Sequence, residues 1–209
     1  MVRKERGQSV VEFAIILPFL VMLIVLMIET GFALRSYLVI TSANREGIRF
    51  AARGRYSDEL AAARIVQSAG MVRGESGPVP FLQATGEDSN AGIIIRRIPI
   101  RADGTLGEGR IYCTGTITID DSKVPISEDH SRVDPVTIAD EHADITVQVN
   151  NMRRDAGYDV LDNELVVVEV FYVHRTLWVS TFLPRPFGAT IPLYSRSIMR
   201  IVSDSRQAQ

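Results

Sequence analysis

Arg3-Lys4-Glu5-Arg6-Gly7-Gln8-Ser9-Val10-Val11-Glu12 leads directly into an apolar run from Phe13 to Ile28. That run contains no polar side chain, and from Val10 to Leu34 the only charged residues are Glu12 and Glu29. A membrane-spanning helix needs about 20 predominantly apolar residues, so the stretch is sufficient. Arg3, Lys4 and Arg6 flank it on one side. Basic flanks stay in the cytoplasm, which predicts an N-terminus inside and the remainder of the chain outside. Pro18 interrupts the run and withholds a donor from the Ala14 carbonyl. It predicts a kink or a local loosening, which membrane helices tolerate.

Glu12 needs a reason. An ionisable group in a spanning helix costs about 2.5–3.5 kcal/mol near the centre and less toward the interface. Either Glu12 sits at the cytoplasmic headgroup level near Arg6 or Lys4, or it meets a specific positive partner. Its spacing is informative, because it is the fifth residue after Gly7.

The stretch Gly7-Gln8-Ser9-Val10-Val11-Glu12-Phe13 resembles the type IV pilin superfamily. In that superfamily a prepilin peptidase cuts after a Gly that precedes four residues and a Glu. The resemblance implies cleavage between Gly7 and Gln8 on the cytoplasmic face, with the apolar helix retained. It also implies that the new ammonium at Gln8 is neutralised by Glu12 of a neighbouring subunit. Burying either charge alone would be costly, so such a pair would set axial register. Gln8 departs from the aromatic residue usual at that position in major pilins.

The wider stretch from Arg6 to Pro18, and the small-residue segment Ala43-Asn44-Arg45-Glu46-Gly47-Ile48-Arg49-Phe50-Ala51-Ala52-Arg53, look like the TadE/TadG-like minor pseudopilins of tight-adherence (Flp) pilus systems. The partners implied are the membrane, a prepilin peptidase, other pilin or pseudopilin subunits and an inner-membrane assembly platform. The implied location is the bacterial cytoplasmic membrane, single-pass, or a pilus into which the chain is incorporated. A secretory signal peptide is the competing reading, with Gly31-Phe32-Ala33 at its cleavage site. Against it, the apolar run exceeds the usual core of about 7–15 residues, and the helical pattern continues through the proposed cut.

Beyond the apolar run, Arg35, Ser42, Arg45, Glu46, Arg49 and Arg53 recur as a polar helical stripe, while Ala33, Tyr37, Ile40, Ala43, Ile48, Ala51 and Ala52 fall largely away from it. One helix about 65–70 Å long is expected. Its apolar stripe predicts packing on the following domain, or close approach of subunit helices at Ala43, Ala51 and Ala52. Gly54 reads as its C-cap. The expected organisation is a leader over 1–7, a transmembrane helix over 8–34, a stalk over 35–55 and an extracytoplasmic domain over 56–209.

Ser57-Asp58-Glu59-Leu60 reads as a helix start, and Gly70 as its stop. Gly74, Gly77, Pro78, Pro80 and Gly86 predict a loop-rich connection. Ile93–Ile98 and Arg110–Ile119 predict a hairpin, turned at Asp103-Gly104 and Gly107-Glu108-Gly109. The alternation of Ile145, Val147 and Val149 with Asp144, Thr146 and Gln148 predicts a third strand. Leu165–Val173, apolar apart from Glu169, predicts a central strand covered by the long helix. Tyr194–Val202 predicts a last strand, with Arg196 and Arg200 outward and irregular structure before it at Pro184, Pro186 and Pro192. The fold class expected is α+β, with the N-terminal helix on a mostly antiparallel sheet.

Charge and chemistry narrow the function. Residues 1–55 hold 8 Lys/Arg and 4 Asp/Glu, leaving 15 and 21 for the rest. A mildly acidic ectodomain is a poor nucleic-acid binder. Cys113 alone provides neither an intrachain disulfide nor a multi-cysteine metal site. His130, His142 and His174 are scattered, and Asp140-Glu141-His142-Ala143-Asp144 lacks any zinc-motif spacing. The acidic residues from Asp120 to Asp134 lack the EF-hand pattern for Ca²⁺. With no catalytic or cofactor fingerprint present, the expectation is a non-enzyme without metal or cofactor. Tyr172, Trp178, Phe182 and Phe187 read first as core aromatics and second as a subunit-facing anchor. The function expected is that of a minor pilin or pseudopilin, structural or initiating in assembly. The alternatives are an anchored binding or adhesion protein outside any filament and an exported enzyme.

Overall fold

Between Glu5 and Ala51 the only proline is Pro18, and a single helix, α1 (Glu5–Ala51), spans the segment. This computed structural model describes residues 5–53, 57–74, 77–86, 88–119, 122–176 and 190–203. Gly54, Trp178, Phe182, Pro184, Pro186 and Phe187 lie outside the described residues. Two compact units are formed, Met1–Tyr37 with His174–Ile191, and Leu38–Val173 with Pro192–Gln209.

The second unit contains the sheet. Helix α2 (Asp58–Ser68) is capped by the Ser57 hydroxyl, which accepts from the Leu60 N–H at 3.3 Å. Gly70, at a φ of 80°, turns the chain out of it. The Gly/Pro-rich connection is more regular than expected. It holds a two-stranded antiparallel ribbon, β1 (Met71–Gly74) with β2 (Gly77–Pro80). A five-stranded sheet follows from β3 (Ala91–Ile100), β4 (Arg110–Ile119), β5 (Ser122–Pro125), β6 (Asp162–Arg175) and β7 (Thr190–Ser203). Its order is β5-β4-β3-β6-β7. The expected hairpin is present, with Ile94 opposite Cys113, and β6 pairs antiparallel on the other side of β3, with Ile94 opposite Glu169. This is the α+β plan.

The third strand expected over 144–149 is absent. Those residues belong to a helix, α3 (Pro135–Asp155), started by Asp134, whose carboxylate accepts from the Val136 N–H, and by Pro135 at the first turn. Its buried residues are Ile138, Ala139, Thr146 and Asn150. That is helical spacing, but two of the four positions are polar. Ile145, by contrast, is 44% exposed. Asn150 is satisfied internally, donating to the Ala102 and Leu161 carbonyls and accepting from the Leu161 N–H. Pro192 also departs from expectation, since it lies within β7 rather than before it. An edge strand tolerates the missing N–H.

Helices cover both faces of the sheet. Ile93, Ile95, Val166, Val168 and Val170 pack with Ile40, Ala43, Ile48 and Ala51 of α1 and with Ala61, Ala62 and Ile65 of α2. Ile98, Ile100, Leu165 and Val167 pack with Ile138 and Ala139 of α3. Double coverage explains why β3 and β6 are apolar runs without alternation. At Gly47 a Cβ would stand 2.0 Å from Ile65 Cγ1, so α2 lies against the α1 backbone with no room for a side chain.

Two buried charges hold the edges of this core. The Arg97 side chain is 4% exposed. It donates to Asp58 at 2.6 Å, to Glu164 at 3.0 Å and to the Ala51 carbonyl at 3.1 Å. One guanidinium thus joins the last turn of α1, the first turn of α2 and strands β3 and β6. Glu169, 1% exposed, accepts from the Tyr194 hydroxyl at 2.7 Å, from the Arg132 N–H at 2.9 Å and from the Ser131 hydroxyl.

Candidate functional site

The first half of α1 is left uncovered by the described residues. Every residue from Val10 to Ile24 is exposed, on all sides of the helix. Phe13 is 58% exposed, Phe19 71% and Met27 67%. A helix that is apolar all round requires lipid or apolar partners. It is long and apolar enough to cross a membrane, and it fits a single-pass membrane protein.

Gly7, Gln8, Glu12 and Pro18 all lie within α1. The Glu12 side chain is exposed, amid an otherwise apolar surface. The helix runs through Pro18, which sits one turn beyond the Ala14 carbonyl it cannot serve. The side chains of residues 5–9 are outside the described set.

Toward the other end of this segment, three polar groups that the sequence did not associate are brought together. Glu29 is 3% exposed, Ser36 5% and His174 7%. Glu29 and Ser36 share one face of α1, seven residues apart. His174 Nδ1 lies 3.1 Å from Ser36 Oγ. Burial pushes the His174 imidazole below its ordinary pKa, and the Glu29 carboxylate opposes that shift. The signal in the sequence was the pair Glu29 and Ser36 at heptad spacing; nothing local linked them to His174, 138 residues beyond Ser36.

The sign of the pH effect follows. An unfolded histidine titrates near 6.5, above the folded imidazole. As pH falls through that range the unfolded state takes up the proton first, so stability present at neutral pH is lost until the folded group also titrates. Amide exchange over residues 172–176, corrected for intrinsic rates, is expected to be faster at pH 5.5 than at pH 7.5, and His174→Phe to remove the difference. Unchanged protection in the native protein would show that the imidazole is not held neutral by burial.

The remaining candidate residues fall elsewhere. Asp140-Glu141-His142-Ala143-Asp144 lies on α3. The acidic stretch contains β5 and a short 3₁₀ turn, Glu128–His130, in which Glu128 pairs with Arg96 at 3.0 Å. His130 Nδ1 accepts from the Ser127 N–H. No group of three His, Cys, Asp or Glu side chains suited to a metal occurs among the described residues. Tyr172 is a core residue, stacked on Phe81 at 4.9 Å between centroids.

Residues 7–49 match the family described as TadE-like protein. The match covers the stretch from the Gly7–Gln8 bond through the apolar helix to its packing on the sheet. The comparisons with curated proteins and with solved structures give no match.

Proposed function

We propose that this chain, a TadE-like protein over residues 7–49, is a minor pilin or pseudopilin, a structural component or initiator of assembly of a tight-adherence type IV pilus. The observation that carries the reading is the exposed apolar half of α1 with a carboxylate, Glu12, at the fifth position after Gly7. On this reading prepilin peptidase cuts after Gly7 on the cytoplasmic face of the inner membrane. The retained helix stays in the bilayer until subunits assemble, with the C-terminal domain outside. Other pilin or pseudopilin subunits and the assembly platform are the partners. The role is mechanical, and no residue is assigned to catalysis.

The chemistry is charge pairing in an apolar medium. Cleavage leaves an ammonium at Gln8 beside a helix that is nearly uncharged. A neighbouring Glu12 neutralises it, and the pair fixes how far one helix is displaced along the next. Pro18 loosens the helix within the bilayer, which lets it adjust when it leaves lipid for protein. Removing a whole apolar helix from lipid has little hydrophobic driving force, so packing and polar pairing decide its position.

N-terminal mass spectrometry of the protein from its native membrane tests this. The expected mature chain starts at Gln8. A start at Met1 or Val2 would support an anchored binding or adhesion protein outside any filament. A start at Leu34 would mean a cleaved signal peptide and sink both anchored readings.

A further inference from the structure

A cleft of about 560 Å³ opens in the second unit between α2, β2, residues 82–86 with Asp88, and β4. Its wall on α2 is shallow because Ala62, Ala63 and Val66 present small side chains there. Glu59 and Asp88 line it and are exposed, and the Tyr112 ring contributes a half-buried face. Among the described residues that line it there is no Lys or Arg. An apolar floor, one aromatic face and two carboxylates suit a guanidinium, which pairs with carboxylates in a fork and stacks on rings.

The same unit displays the complementary surface. Arg45 and Arg49 stand one turn apart on α1, and Arg53 follows just past its end; all three are exposed. Among the described residues none of them forms an ion pair. The acid between them, Glu46, is engaged by Arg64 of the same chain at 3.4 Å. The ridge therefore projects cationic charge that no acid among the described residues pairs.

We propose that the cleft receives the Arg45–Arg49–Arg53 ridge of a second copy of this chain. Donor ridge and acceptor cleft are different residues of one subunit, so the contact is heterologous. Repeated, such a contact builds a ring or an open helical array rather than a closed dimer. The inference rests on the filament reading and adds an extracytoplasmic contact to the pairing within the bilayer. It also gives the exposed arginines of the stalk a specific partner.

Disulfide trapping in native membranes tests it. Two differently tagged full-length copies, both with Cys113→Ser, carry Ala63→Cys in one and Arg49→Cys in the other. Met22→Cys in both copies reports association of the apolar helices independently. The expected result is a mixed-tag Ala63→Cys/Arg49→Cys dimer, weakened roughly fivefold by Glu59→Gln with Asp88→Asn. It should return when Glu59→Lys and Asp88→Lys in the first copy face Arg45→Glu and Arg53→Glu in the second. Helix dimers through Met22→Cys without the mixed dimer overturn the cleft contact and leave the filament reading standing. So does trapping of a different protein by Ala63→Cys. Absence of both cross-links overturns the two readings together.

Discussion

Arg97→Met is expected to lower the melting temperature of the detergent-solubilised chain by roughly 6–20 °C, a loss of about 3–5 kcal/mol. Removing the guanidinium leaves Asp58 and the Ala51 carbonyl without its hydrogen bonds and Glu164 with only the exposed Arg110 at 3.9 Å. Asp58 and Glu164 have side chains only 16% and 23% exposed, and the Ala51 carbonyl belongs to the last turn of α1. Carbonyls there carry the negative end of the helix dipole, and Asp58 opens the next helix. The arginine is thus the single cation shared by two helix ends and two strands. A loss of this size is a large part of the stability of a domain, which is about 5–15 kcal/mol. Arg97→Lys keeps the charge but cannot reach three acceptors with a planar fork, and should recover only part of the loss. A melting temperature within about 2 °C of wild type for Arg97→Met would remove this role. The measurement is thermal unfolding followed by circular dichroism.

Glu12→Ala is expected to leave cleavage intact and to reduce incorporation into the filament by more than about a hundredfold. An unpaired ammonium at Gln8 inside an assembled apolar bundle costs about 3–5 kcal/mol, and each 1.4 kcal/mol is tenfold. Glu12→Gln retains the shape and a weak acceptor, so it should incorporate slightly better than Ala but far below wild type. Gly7→Ala acts earlier and should accumulate uncut chain. Comparing cell-associated with sheared, filament-associated protein by immunoblot separates the two steps. Wild-type levels of filament-associated Glu12→Ala would eliminate the charge pair, whatever the outcome at Gly7.

These two residues differ in how visible they were. Glu12 stood out because an acid in an apolar run has no local justification, and its offset from Gly7 made it specific. Arg97 gave no such signal. It sits between Ile95 and Ile98 in a strand with Arg96, and two adjacent arginines ordinarily suggest one outward face and a turn. The register places Arg97 on the face covered by α1 and α2, where the first ends and the second begins. Glu169 stands out as the one acid in the apolar run Leu165–Val173, but its partners Ser131, Arg132 and Tyr194 come from elements that no local pattern connects to it.

Residues 144–149 alternate like a strand yet form part of α3 for the same reason. Alternation over six residues is weak evidence when a helical stripe of period near four runs through the same stretch. That stripe was disguised because Thr146 and Asn150 occupy buried positions. They are tolerated there because Asn163 donates to the Thr146 hydroxyl at 2.8 Å, and Asn150 bridges the Ala102 and Leu161 backbone. Without α3, the second face of the sheet had no cover, and the apolar character of both faces of β6 was only half explained.

What the amino-acid order determined by itself was everything governed by neighbours on one element. The apolar length of α1, the Gly7–Glu12 spacing, the cap at Ser57 and the strand–turn–strand of β3 and β4 depend on residues a few positions apart, and they were legible. Tertiary structure alone decided which polar residues could be buried. Glu29, Ser36 and His174 became neighbours, Arg97 met two helix ends, and α3 closed the sheet, because a buried polar group is stable only where distant elements supply its hydrogen bonds. Those partners are set by register and topology, which no local period encodes.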